Sequence, residues 1–173
     1  MKKTAFWLAI ALVLGGAGLS AQVGGAEGGL SAEVLTRLQR LPHYGVFDTL
    51  SFRLDGNNVT LLGRVLLPIT RREAAAQVAR VAGVGTVTNA IEVLPLSRAD
   101  DLLRMQVYRR VFSAEGLYRY ALGPDPSIHI IVARGKVTLE GMVSGEMDRK
   151  LALMAVRQVP GAFTFQNNLR VGE

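Results

Sequence analysis

Apolar and polar residues alternate through two stretches of the chain. Val59, Leu61, Gly63 and Val65 alternate with Thr60, Leu62 and Arg64, and Val137, Leu139, Gly141 and Val143 with Thr138, Glu140 and Met142. A period of two sends successive side chains to opposite faces, so each stretch predicts a strand with one face buried. The two stretches are copies. Sliding the chain along itself by about 78 residues aligns Leu50–Val93 with Ile128–Val171 without a gap, the self-similarity expected of a duplicated unit. The glycine repeated on the inward face, Gly63 and Gly141, marks a place of close approach, either by a helix backbone or at a strand bend.

The remaining elements follow from periodicity and punctuation. Gln22–Gly29 is rich in small residues and reads as a flexible leader. A helix is expected to open at Ser31, with Leu30 stapling onto Leu35 and Val34, Leu35, Leu38 and Leu41 recurring at helical spacing, before Pro42 ends it. Leu50, Phe52 and Leu54 alternate in a strand, and Asp55-Gly56-Asn57-Asn58 turns it into Val59–Val65. Asn57 aligns with Gly135, so both are expected to take a left-handed backbone. Thr70-Arg71-Arg72-Glu73 has the form of a capping box for a helix reaching Ala82, where Gly83 suits a left-handed stop. Val87, Asn89, Ile91 and Val93 then share one face of a last strand, and Pro95 to Ser97 form a short linker.

The second copy repeats the order as helix Ala99–Phe112, strands Ser127–Arg134 and Lys136–Val143, helix Arg149–Val159 and strand Ala162–Val171, with Pro160-Gly161 as the helix stop. The fold class is therefore α+β: two tandem α-β-β-α-β units over 30–95 and 98–173, each a three-stranded sheet with two helices on one face.

Residues 1–26 stand apart. Lys2 and Lys3 precede the apolar run Ala5–Leu14 and a series of small residues, the pattern of a signal peptide cleaved after Ala21 or Ala26. The apolar run is short for a bilayer span. The chain has no cysteine, which excludes disulfides, thiolate metal sites and lipid attachment through a cysteine. The formal charge is +6, or +4 once Lys2 and Lys3 are removed, and the remaining basic residues are almost all arginine. A basic excess favours anionic partners, and export argues against nucleic acid.

Catalytic chemistry is absent from the pattern. His43 and His129 fall in different copies without partners at ligand spacing and are expected at the surface, His129 on the outward side of its strand. No nucleophile elbow or phosphate loop occurs. Asp100 and Asp101 sit at a helix start, where the dipole favours them. No metal site and no cofactor is expected. The one candidate site is an aromatic-basic cluster where the copies differ most: Tyr108, Arg109 and Arg110 on the helix, and Tyr118, Arg119 and Tyr120 in the long connection Ser113–Pro126. Tyrosine beside arginine suits a membrane interface, with Leu117 and Leu122 dipping below. Alternatively Tyr118, Tyr120 and Leu122 fold back over the core. Outward Ile131 and Met142 offer an apolar surface to the other copy or to a partner.

A strand pair reading Val-Thr-Leu-x-Gly-x-Val, a helix ending Val-Pro-Gly and a strand with Asn-Asn-Leu-x-Val resembles the BON domain of bacterial envelope proteins. The second copy matches at Val137, Thr138, Leu139, Gly141, Val143, Val159, Pro160, Gly161, Asn167, Asn168, Leu169 and Val171. The first departs at Ala82, Ala90 and Ile91. The resemblance implies a non-catalytic periplasmic or envelope module, peripheral to the membrane, that binds anionic phospholipid surfaces and supports envelope integrity or osmotic stress tolerance. The alternative is a soluble periplasmic chaperone-like or scaffold protein that binds other envelope proteins.

Overall fold

In the computed structural model, which describes residues 23–123 and 125–172, two α-β-β-α-β units follow each other along the chain. The signal peptide expected at the N-terminus lies outside the described residues, apart from its last few positions. The first unit comprises α1 (Val23–Gln39), β1 (Thr49–Asp55), β2 (Asn58–Val65), α2 (Pro68–Val78) and a return strand in two pieces, β3 (Val87–Asn89) and β4 (Glu92–Val93). The second comprises α3 (Arg98–Phe112), a 3-10 helix (Leu117–Ala121), β5 (Ile128–Ala133), β6 (Lys136–Val143), α4 (Glu146–Arg157) and β7 (Thr164–Val171). No helix among the described residues is long and apolar enough to cross a membrane.

Each sheet has an antiparallel hairpin whose second strand is central and pairs in parallel with the return strand. The inward positions of the strands supply the cores. Val59, Leu61, Val65 and Ile91 meet Val34, Leu38, Ala74 and Val78 in the first unit. Ile128, Ile130, Val132, Val137, Leu139, Val143 and Leu169 meet Val107, Val111, Ala152 and Val156 in the second. One asparagine does the same work in both return strands. Asn89 Nδ2 donates to Arg71 O and its Oδ1 accepts from the Ile91 amide, while Asn167 donates to Arg149 O and accepts from the Leu169 amide. The side chain thus ties the return strand to the helix before it.

Gly63 and Gly141 have φ +128° and +117°, and a Cβ there would stand 2.0 Å from Thr49 O or 2.1 Å from Ser127 O. The close approach is therefore made by the backbone of the adjacent strand, at a bend in the hairpin. Gly83 and Gly161 have positive φ, but they lie past the helix ends: α2 stops at Val78 and α4 at Arg157, not at Ala82 and Val159, so these glycines turn the chain toward the return strands.

Local expectations differ from the structure at several places. Helix α1 begins at Val23, so Gly24–Gly29 is helical and Ser31 lies within the helix; once the Leu30–Leu38 stripe docks, each further residue adds a hydrogen bond to an existing helix. Helix α2 starts with Pro68 at its first position and ends at Val78. Proline lacks the amide that would be orphaned there, and the capping box at Thr70 does not form. Buried Thr70 instead donates to His43 O, and Glu73 pairs with the His43 ring at 3.0 Å. Helix α4 begins at Glu146, three residues ahead of Arg149. In the first hairpin the positive φ belongs to Gly56, not Asn57; in the second, both Arg134 and Gly135 have it. Finally, Asp100 is buried and its carboxylate accepts from the amides of Arg134 and Gly135 at 2.8 Å each, a role beyond helix-end electrostatics.

The units are joined through the connection between α1 and β1. Val46 and Phe47 pack on the core of the second unit, and the Ile130 amide, on the open edge of β5, donates to Val46 O at 2.7 Å. The outward face of β5 and β6 is thereby turned toward the first unit. Ile131 and Thr138 are buried there, and Arg64 pairs with Glu140 at 3.0 Å. His129 is buried as well, contrary to a surface position. Its ring lies 5.4 Å from the Tyr44 ring, Nδ1 donates to Gly45 O at 3.3 Å, and Nε2 accepts from the Tyr44 hydroxyl at 3.4 Å. Met142 remains half exposed.

Candidate functional site

The aromatic-basic cluster divides into a structural part and a free part. The 3-10 helix packs on α3, with Leu117 in the core and Tyr120 at its edge. The Tyr120 hydroxyl donates to Asp148 Oδ2 at 2.6 Å and accepts from the Ser144 amide at 2.8 Å. Tyr120 thereby fixes the turn leading into α4, and only 6% of its surface is exposed. Arg119 lies over the Tyr120 ring, 4.8 Å from its centroid, and pairs with Asp148 at 2.6 Å. Hydrogen bonding to Tyr120, followed by the Asp148 charge, favours its charged form further. Tyr108 is half-buried, stacked edge-on between Phe47 and Phe112. These three side chains have their partners within the protein.

Arg109, Arg110 and Tyr118 remain exposed. Helical spacing on α3 buries Leu103, Val107 and Val111, which leaves Arg109 on the opposite face and Arg110 on the flank toward α4, both in the last turn, where positive charge complements the helix dipole. Neither makes an ion pair among the described residues. Together they line an open groove of about 310 Å³ with Gln106, Ser113, Gln158 and Pro160. On its α4 side the groove continues past Arg110 to Leu151 and half-exposed Met154. Tyr118 and Leu122 project from the connection that follows, 63% and 65% exposed. The outer surface of the second unit thus combines free guanidinium groups with apolar side chains.

Three buried groups at or beside the inter-unit junction escaped sequence reasoning. The buried Asp48 carboxylate accepts from the amides of Leu66 at 2.6 Å and Gly45 at 3.0 Å. Burial pushes its pKa up, against those hydrogen bonds. Burial likewise pushes His129 below the usual imidazole range, although Asp125 lies 3.8 Å from Nε2. Arg104, also buried, donates to Val132 O at 2.7 Å and pairs with Asp101, leaving Nε without a partner. The charged head so covers the edge of β5 beside the connection. The one available signal was the pair His129-Ile131: an isoleucine on the same outward face indicates that the face is covered. No group of three or more His, Asp or Glu among the described residues could hold a metal ion.

No curated protein matches the sequence. Among solved structures, the chain is similar to the C-terminal domain of CdsD, the structural protein of the type III secretion system of Chlamydia trachomatis, at 10% identity with 83% of this chain and 98% of that chain covered and a TM-score of 0.30. A second CdsD structure aligns at 13% identity over 84% of this chain and 94% of that chain, with a TM-score of 0.31. The BON domain profile matches twice, at residues 50–95 and 100–173. The two matches span both hairpins and both return strands, and the chain belongs to the BON domain family.

Proposed function

We propose that this protein is a non-catalytic envelope module, exported to the periplasm, that binds anionic phospholipid surfaces through the second unit and supports envelope integrity or osmotic stress tolerance. The observation that carries the reading is the pair Arg109 and Arg110, exposed without ion-pair partners among the described residues on a groove that reaches half-exposed Met154, with Tyr118 and Leu122 exposed on the connection that follows α3. Guanidinium groups pair with phosphate headgroups while apolar neighbours enter the interface, and the basic balance of the chain adds long-range attraction. Tyr120 and Arg119 hold the 3-10 helix that presents Tyr118. BON family membership supports the envelope assignment.

Co-sedimentation with phosphatidylglycerol vesicles tests the reading. Binding is expected at low salt, weakened as the Debye length shortens toward about 3 Å at 1 M salt, and weak on neutral vesicles at any salt. Equal binding to neutral and anionic vesicles, or none to either, would refute it. A second reading, a scaffold for other envelope proteins, is favoured by the open edge of β7 with Phe163 standing 86% exposed just before it, since an unpaired strand edge accepts another strand.

A further inference from the structure

A cleft of about 590 Å³ lies at the junction of the two units, remote in sequence from Arg109 and Arg110. One wall is the return strand of the first unit, from Ala90 to Pro95; the other is Ala133 and Arg134 of the second hairpin, and Arg64 and Arg71 complete the lining. Arg64 is committed to Glu140. Arg71 and Arg134 make no ion pair among the described residues, and both are exposed toward solvent.

Arg134 is placed there against its backbone preference. It is the one non-glycine residue with positive φ among the described residues, at +52°, a conformation that costs an L-residue with a Cβ. The matching position of the first hairpin is Gly56, at φ +58°. The buried Asp100 carboxylate holds the strained turn through the amides of Arg134 and Gly135. A turn that accepts glycine in one copy thus carries arginine in the other, clamped by a buried charge, at the mouth of an inter-unit cleft. Arg71 offers a second contrast, because its counterpart Arg149 is neutralised by Glu146 at 2.7 Å.

We propose that this cleft binds the phosphate group of a small hydroxylated phosphate ester, gripped between the Arg71 and Arg134 guanidinium groups. Planar guanidinium forks match phosphate oxygens in paired hydrogen bonds, and the Glu92 carboxylate in the lining accepts from a ligand hydroxyl. The volume falls within the range of small-molecule sites. Such an ester is available as a free solute or as the headgroup of a glycerophospholipid. This site does not depend on the groove at Arg109 and Arg110.

Calorimetric titration of the full chain with glycerol 3-phosphate at low ionic strength, paired with phosphatidylglycerol vesicle binding, tests the proposal. Arg134→Gly relieves the backbone strain, so its fold is retained, and Arg71→Gln changes an exposed helix position; each is expected to weaken binding at least tenfold, whereas Arg109→Gln/Arg110→Gln leaves glycerol phosphate binding unchanged. Loss of soluble ester binding identifies a free solute as the ligand, and loss of vesicle binding alone identifies a headgroup. Arg134→Gly and Arg71→Gln both matching the parent in both assays would overturn the site.

Discussion

The two units share one hairpin, one crossover helix and one asparagine clasp, yet they spend their surfaces differently. In the first, the connection after α1 runs from Arg40 to Asp48 and turns inward, burying Val46 and Phe47 on its neighbour. In the second, the connection after α3 forms a 3-10 helix that closes its own core with Leu117 and Tyr120 and leaves Tyr118 outside. A duplicated fold can therefore divide its tasks by changing only the segment between first helix and first strand: one copy becomes the docking partner, the other keeps an exposed basic surface.

The sharpest test of the shared frame is a side chain at the hairpin bend. Gly141→Val and Gly63→Val both drive a Cβ into a carbonyl oxygen at a positive φ, and the combined clash and backbone strain is expected to cost more than about 3 kcal/mol. Glu140→Val, one residue away, loses a partly exposed pair with Arg64 and an exposed hydrogen bond from Asn168, together worth about 1–2 kcal/mol. Urea midpoints separate the cases; a midpoint for Gly141→Val at or above that of Glu140→Val would show that the bend is not fixed.

A smaller effect is expected where the units diverge. Tyr120→Phe keeps the ring in place but leaves the Ser144 amide without its acceptor and removes one of the two donors to Asp148, Arg119 being the other, a loss of about 1–3 kcal/mol. Tyr118→Ala should leave the melting temperature nearly unchanged, since that ring is exposed. Similar shifts for both substitutions, read by thermal denaturation, would erase the division between structural and free tyrosine.

The smallest expected effect concerns the junction. His129 faces Tyr44, Asp48 and Asp125, and its burial favours the neutral ring. Its folded-state pKa lies below the unfolded one, so the docked form binds fewer protons and stability falls as pH drops through the ordinary imidazole value of about 6.5. Asp48 acts oppositely: its raised pKa gives stability that is present in acid and lost as pH rises through the folded value. Between pH 7.5 and 5.5 the melting temperature should therefore decline, and His129→Gln should flatten that decline. An unchanged slope in the variant would assign the pH response elsewhere.

Most of the fold was legible because period-two strands and paired punctuation occur twice, and each copy checks the other. The boundaries that moved did so where two local signals competed. Pro68 pre-empted Thr70 as the start of α2, and packing carried α1 upstream through glycines that disfavour a helix. Burial of His129 was signalled on its own strand only by Ile131, which shows that the outer face is covered, since alternation itself separates two faces without saying what covers the outer one. The candidate site was legible as a cluster but not as its members. Composition groups Tyr118 with Tyr120, and only the position of Asp148 and the Ser144 amide distinguishes them.

The claim that the second unit carries the membrane surface is tested most directly by moving the same charge loss between units. Arg109→Gln/Arg110→Gln and Arg37→Gln/Arg40→Gln each remove two positive charges, the latter from α1 and the connection that follows it in the first unit. With phosphatidylglycerol vesicles at low salt, the α3 pair is expected to weaken binding by about 2 kcal/mol, at roughly 1 kcal/mol per arginine, and the first-unit pair by much less. Equal weakening by both pairs would mean that net charge alone drives binding and would contradict a site on the second unit.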